Sequence, residues 1–83
     1  MVQIVLRGIA FREKGLLEAS LECFKLALAK KTRSQEMLSR AHYERALTYQ
    51  KLGKPAQARK DLELVLVHEP DNEDVTTLLN ELG

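Results

Sequence analysis

Few side chains in this 83-residue sequence have the chemistry that catalysis or metal binding requires. Cys23 and His42 pair a nucleophile with a base, but no third orienting group and no oxyanion donor accompanies them. Cys23, His42 and His68 lack the close ligand spacing of a zinc site. The four glycines lack the spacing of a phosphate-binding loop. The sequence therefore predicts no catalytic residue, no metal ligand and no cofactor, and we expect a protein that is not an enzyme.

Charged residues are unevenly distributed along the chain. Residues 1–60 contain all 13 lysines and arginines with five acidic residues, whereas residues 61–83 contain seven acidic residues and no basic one. The two parts therefore carry +8 and −7, which the net charge of +1 conceals. The basic residues are scattered over several predicted helix faces, and the aromatic residues Phe11, Phe24 and Tyr49 fall in the predicted core. We therefore expect no nucleic acid among the partners.

Two helical hairpins are predicted from the spacing of small, large apolar and turn residues. One copy of the spacing starts at Ala46, and the same offsets can be counted from Gly8. The matched positions are Ala46, Tyr49, Gly53, Ala58, Leu62, Val65 and Pro70 in one copy and Gly8, Phe11, Gly15, Ser20, Phe24, Ala27 and Thr32 in the other. Six of the seven pairs agree in size or kind. A fixed period of this length indicates a solenoid of helical repeats.

This series resembles the tetratricopeptide repeat, which has a small and an aromatic residue in its first helix, glycine at the turn, and small, large and small residues in its second helix. The resemblance implies an all-α fold, an α-α superhelix of two helix-turn-helix repeats with a C-terminal capping helix. We expect a single domain over residues 1–83, with repeats at about 2–33 and 35–70 and a capping helix at about 72–82. The period of 38 residues exceeds the usual 34 by about one helical turn, which we place at the front of the third helix, after a Ser34 cap.

The first predicted helix, from Val2 to about Lys14, has more apolar surface than one packed face needs. We expect Gly8 on its inner face to allow close approach of a partner backbone. The excess apolar residues are Val2, Val5, Leu6 and Ile9, and Leu26 of the second helix (Leu17 to about Lys31) adds to them. We expect these side chains to face away from their own core and to contact a second copy of the chain, a missing preceding repeat or a bound segment.

The resemblance implies that the concave groove is lined by outward residues of the first helix of each repeat. These are Val2, Val5, Ile9 and Arg12 in the first repeat and Arg40, Tyr43, Leu47, Gln50 and Lys51 in the second. Some members of the family clamp a terminal carboxylate with lysine and asparagine at such places, where this sequence has valine and isoleucine. A groove that is apolar at one end and basic at the other predicts an amphipathic protein or peptide partner with acidic flanks.

Two functions follow from these predictions, and the sequence does not choose between them. One is an adaptor or scaffold that binds a partner segment in the groove. The other is a structural or self-assembly unit whose first helix packs on a second copy, as in a homodimer, or on a preceding repeat. Arg7 and Gly8 interrupt the apolar opening, which excludes a membrane span or signal peptide there. The lone Cys23 fits a reducing compartment, and we expect a cytoplasmic protein.

Overall fold

The computed structural model describes residues 2–30 and 33–83, and it describes Val2 by its backbone alone. These residues form five α-helices and no strand: α1 (Val2–Glu13), α2 (Leu17–Ala29), α3 (Gln35–Lys51), α4 (Pro55–His68) and α5 (Glu73–Leu82). The predicted all-α fold of two helical hairpins and a C-terminal helix is confirmed. Thr32 and the predicted end of the second helix at Lys31 lie outside the described residues.

The same turn joins the two helices of each hairpin. Gly15 and Gly53 have φ angles of +79° and +73°, a left-handed conformation that glycine adopts without steric cost. The N–H group of the residue after each glycine donates to the carbonyl five residues earlier, Leu16 to Phe11 and Lys54 to Tyr49, both at 2.9 Å. This is the hydrogen bond of a Schellman motif, and its repetition gives the two hairpins the same reversal of chain direction.

Side-chain caps begin α3 and α5, and the cap of α3 is the predicted Ser34. The Ser34 hydroxyl accepts from the N–H of Met37 at 3.2 Å, and the Asn72 side-chain oxygen accepts from the N–H of Val75 at 3.1 Å. α3 begins at Gln35, six residues before Ala41. The predicted start of the third helix after the Ser34 cap is therefore confirmed.

Two buried apolar clusters hold the helices together, and α3 contributes to both. Phe24 and Ala27 of α2 pack with Val5 and Ala41 in the first cluster. The second cluster is made of Ala46, Ala58, Leu62, Val65 and Val75, so that it joins α3, α4 and α5. Because α3 lies against α1, α2 and α4, it is the helix on which the two hairpins stack.

The packing of α1 differs from the prediction at Gly8 and Val5. A Cβ atom on Gly8 would lie 2.6 Å from Cε1 of Phe24, so the group that approaches Gly8 closely is an aromatic ring and not a partner backbone. Val5 is 4% exposed and lies in the first cluster, so the expectation that it faces away from its own core is wrong. The reason is that α1 contacts α3 as well as α2, and this second contact covers Val5.

Candidate functional site

The α1 residues that were predicted to line the groove provide little open surface. Val5 is in the core, and Ile9 is half-buried against the same cluster. Arg12 is only 7% exposed. The side chain of Val2 lies outside the described residues. The stacking of α1 on α3 therefore uses much of the surface that the sequence assigned to a partner.

Glu44 binds both arginines from the predicted basic part of the groove. Nη1 of Arg12 donates to Oε1 of Glu44 at 2.8 Å and to its backbone carbonyl at 3.1 Å. Nε of Arg40 donates to Oε2 of Glu44 at 2.8 Å. Glu44 is 4% exposed, so its charge must be compensated where it lies. The two guanidinium groups thus balance an internal carboxylate, and Lys51 is the exposed basic residue of the predicted set whose charge stays unpaired within the described residues.

The α3 residues border an open groove between α3 and α5. Arg40 and Tyr43 line a depression of about 530 Å³, together with Ser39 on α3, Val65 on α4, Glu69 at the C-cap of α4, and Asp74 on α5. We call this the α3–α5 depression. Tyr43 and Asp74 also border a further depression of about 380 Å³, which Thr77 and Leu78 complete. The two depressions share these residues, so the groove continues along α5. Leu47 and Gln50, farther along α3, are half-buried.

Three exposed carboxylates, Glu36, Glu69 and Asp74, surround the α3–α5 depression, and the sequence analysis did not assign them to a site. The side-chain amide of Asn72 donates to Oε1 of Glu69 at 3.0 Å and orients that carboxylate. A usable signal existed in the sequence. In an antiparallel hairpin, the start of α3 must lie beside the end of α4, which brings Glu36 and Glu69 to the same end of the molecule.

A second ionic group, centred on Asp61, lies between α3 and α4. Arg45 donates to Asp61 from Nε at 2.8 Å and from Nη2 at 2.7 Å, and Nδ1 of His42 lies 2.8 Å from Oδ1. Burial raises the pKa of Asp61, but the hydrogen bonds from Arg45 and His42 outweigh burial and hold that pKa below its ordinary value of 3.8. The bond to Asp61 raises the pKa of Arg45. This group fastens α3 to α4.

Of the residues considered for chemistry, His42 bonds Asp61 and Cys23 is buried. Among the described residues, no three histidine, cysteine or acidic side chains converge as a metal site would require. None of the helices in this part of the chain has both the length and the apolar character needed to cross a membrane.

Comparison with known protein families agrees with this geometry. A family model described as the tetratricopeptide repeat matches residues 39–72, which run from Ser39 in α3 through the Gly53 turn and α4 to the Asn72 cap. Residues 39–72 are therefore similar to a tetratricopeptide repeat. Tetratricopeptide repeats in general mediate protein–protein interactions and are not catalytic. Neither a curated protein nor a solved structure matches the chain.

Proposed function

We propose that this chain is an adaptor that holds a segment of a partner protein in the concave groove, mainly along α3 and α5. The observation that carries the proposal is the continuous groove in which Tyr43 and Asp74 border two adjoining depressions. Residues 1–83 act as one binding unit in this proposal, because α3 packs on both hairpins and α5 packs on α4. The lone Cys23 fits a reducing compartment, and we propose that the interaction takes place in the cytoplasm.

The aromatic ring of Tyr43 supports this assignment. Tyr43 is half-buried, and it packs beside the second cluster while also bordering both depressions. A tyrosine held in this way offers a large contact area with little loss of side-chain entropy, and such residues often dominate the binding energy of an interface. Arg40, with a side chain that is 60% exposed, lies one helical turn earlier on the same wall.

The partner segment in this proposal is amphipathic and carries an acidic flank beside Lys51. Lys51 is exposed in the last turn of α3, and among the predicted basic residues of the groove it is the one that Glu44 does not neutralise. An acidic flank would therefore bind at the Gly53 end of the groove, away from the α3–α5 depression. Opposite charges at this contact would speed association more than they strengthen it.

Selection from a random library of 12-residue peptides on the whole chain tests the proposal. Selected peptides should bind wild type and lose about tenfold or more in affinity to Tyr43→Ala, because an interface tyrosine commonly contributes 2 kcal/mol or so. Lys51→Glu should weaken the acidic peptides by about threefold and leave the thermal unfolding midpoint unchanged. Circular dichroism checks that Tyr43→Ala remains folded.

The matched control is Leu64→Ala with Val67→Ala, since both side chains are exposed on α4 and do not border this groove. The control should bind the selected peptides as wild type does. No enrichment of any peptide on wild type, or selected peptides that lose affinity only to the control variant, would refute binding in the groove.

A structural role is the second candidate, because the first hairpin exposes large apolar side chains. Leu6 of α1 is 56% exposed and Leu26 of α2 is 61% exposed. In a solenoid, such residues are covered by the neighbouring repeat, and three repeats or a polar cap are usually needed for a stable array. We infer that a second copy or a preceding repeat would pack on this part of the molecule.

A further inference from the structure

The α3–α5 depression has a surplus of negative charge. Glu36, Glu69 and Asp74 border it, and none of the three forms an ion pair with another described residue. Arg40 is the basic residue among the lining side chains, and its Nε is bonded to Glu44. The lining thus has three exposed carboxylates and one guanidinium, that of Arg40, which is also paired with the buried carboxylate of Glu44. A cation would be attracted to this opening and an anion repelled.

A buried hydroxyl without a partner lies in the wall of the same depression. Ser39 is 3% exposed, and its Oγ has no hydrogen-bond partner among the described residues. Buried polar atoms are satisfied in the great majority of cases, and those that are not call for a specific explanation. Ser39 lines the depression, so its hydroxyl oxygen could accept a hydrogen bond from a donor group bound there.

Apolar atoms line the depression beside the carboxylates. Val65 lies on its α4 side and Tyr43 on its α3 side. A lysine or arginine side chain matches this arrangement, because its hydrocarbon stem packs on apolar and aromatic surface while its head binds carboxylates. A bare metal ion would gain nothing from Val65 and Tyr43, and an acidic side chain would be repelled.

We propose that the α3–α5 depression takes up the basic head group of a lysine or arginine side chain from the partner segment. The proposal rests on the proposed function, which supplies the partner segment. To the proposed function it adds the chemical type of one anchoring side chain and the direction in which the segment lies along α3. The basic anchor lies at the start of α3, and the acidic flank lies near Lys51 at its end.

Chemical-shift titration of the ¹⁵N-labelled whole chain with Nα-acetyl-lysine amide tests the anchor site without a peptide. The amides of Ser39, Tyr43, Glu69 and Asp74 should shift in a saturable way. Nα-acetyl-norleucine amide, which keeps the stem and lacks the charge, should shift them much less. The double variant Glu69→Gln with Asp74→Asn should bind the lysine probe about fivefold more weakly, as expected from the loss of two partly solvated charge interactions.

The control for this variant is Glu63→Gln with Glu73→Gln, which removes the same charge from exposed positions of α4 and α5 outside the depression. Its affinity for the lysine probe should be within about twofold of that of wild type, because the removed charges attract the probe only at long range. Equal weakening in both double variants, or equal shifts with the norleucine probe, would overturn the assignment. Stronger binding of Nα-acetyl-glutamate amide would also overturn it.

The outcomes separate this proposal from the proposed function. Library-selected peptides that bind in the groove without any basic position, together with a lysine probe that does not bind, would leave the adaptor function standing and refute the anchor. Shifts of the same amides on concentrating the protein alone, abolished by roughly 0.5 M salt, would show that a second copy of the chain occupies the depression. That result would refute a separate partner as the occupant.

Discussion

Asp61 is 2% exposed and is held by two side chains from the neighbouring helix. A carboxylate this deep in the packing is tolerated because Arg45 meets it with two hydrogen bonds and His42 with a third. The ion pair thus joins α3 to α4 at a buried position.

Replacing Asp61 by Asn should lower the free energy of unfolding by about 3 kcal/mol, since removing one partner of a buried ion pair leaves the other charge without compensation. The loss should lie at the low end of the usual range because the Arg45 side chain is 23% exposed and can reach water. Urea unfolding at pH 7 measures it. Glu63→Gln, an exposed change on the same helix, is the control and should cost less than about 0.5 kcal/mol.

The carboxylate of Asp61 should make the free energy of unfolding depend on pH. Its pKa is lower in the folded chain than its ordinary value of 3.8, so the ion pair stabilises the fold at pH values above that range. As the pH falls below about 4, the unfolded chain binds the proton first and the contribution of Asp61 is lost. The difference in unfolding free energy between wild type and Asp61→Asn should therefore shrink from pH 5 to pH 3. A constant difference over that range would contradict the ion pair.

Gly8 should resist replacement although it lies inside a helix. Alanine would gain about 1 kcal/mol of helix propensity, but its Cβ would meet the fully buried ring of Phe24. We expect Gly8→Ala to destabilise the fold by about 1–2 kcal/mol in thermal unfolding. In a Phe24→Leu background the same change should cost clearly less, because the ring atoms are gone. An equal cost in both backgrounds would show that the ring is not the obstacle.

Individual residues show what the sequence could predict and what it could not. The small size required at Gly8 was predictable from its match to Ala46, but the identity of the group that approaches it depends on how α2 is rotated. Val5 was assigned to the groove because the family resemblance implies an outward residue at its position. Its burial depends on α1 packing against α3, a contact between hairpins that periodicity within one helix does not encode.

The helices themselves follow from local signals. Ser34 and Asn72 are caps whose side chains bond the backbone three residues later, and glycine with positive φ ends each first helix. These interactions lie within a few residues of sequence, so the Ser34 cap that begins α3 was predicted at the correct residue. The end of α1 was predicted one residue beyond that observed, since helix boundaries are weakly determined.

The docking of α5 should depend on Val75, the residue of this helix that is completely buried. Val75→Asp would place a charge in the second cluster and should lower the free energy of unfolding by about 3 kcal/mol or more. Thr77→Asp, on the exposed side of the same helix, should cost less than about 0.5 kcal/mol. Chemical unfolding of both variants measures the difference. Equal stabilities would show that α5 is not docked on α4.

At the scale of the whole molecule, charge and apolar surface are distributed unequally. The acidic residues of the last 23 positions include Glu69 and Asp74, two of the three that surround the α3–α5 depression. The sequence revealed this excess of acidic residues, but it did not show that part of it would face the groove. That placement follows from the antiparallel path of α4 and the turn into α5. At the predicted basic end of the groove, Glu44 binds two of the arginines, Arg12 and Arg40.

Self-association should depend on Leu6 and Leu26, the exposed apolar residues of the first hairpin's helices. We expect wild type to form a dimer at roughly 0.5 mM, and Leu6→Glu with Leu26→Lys to be a monomer of unchanged helix content. Light scattering coupled to size exclusion measures the molar mass. Val67→Lys, at a 70% exposed site on α4, is the control and should leave the dimer intact. A wild type that stays monomeric at this concentration would contradict the structural role. The change Val5→Glu is unsuitable for this test because it would charge the core.

The most direct test of the adaptor function is a map of amide chemical-shift changes when a library-selected peptide binds the ¹⁵N-labelled chain. The groove assignment predicts that the changes cluster along one wall from Arg40 to Lys51 on α3 and along the facing part of α5 from Asp74 to Leu78. Changes clustered instead on the outer surface of α4, around Leu64 and Val67, would contradict the assignment.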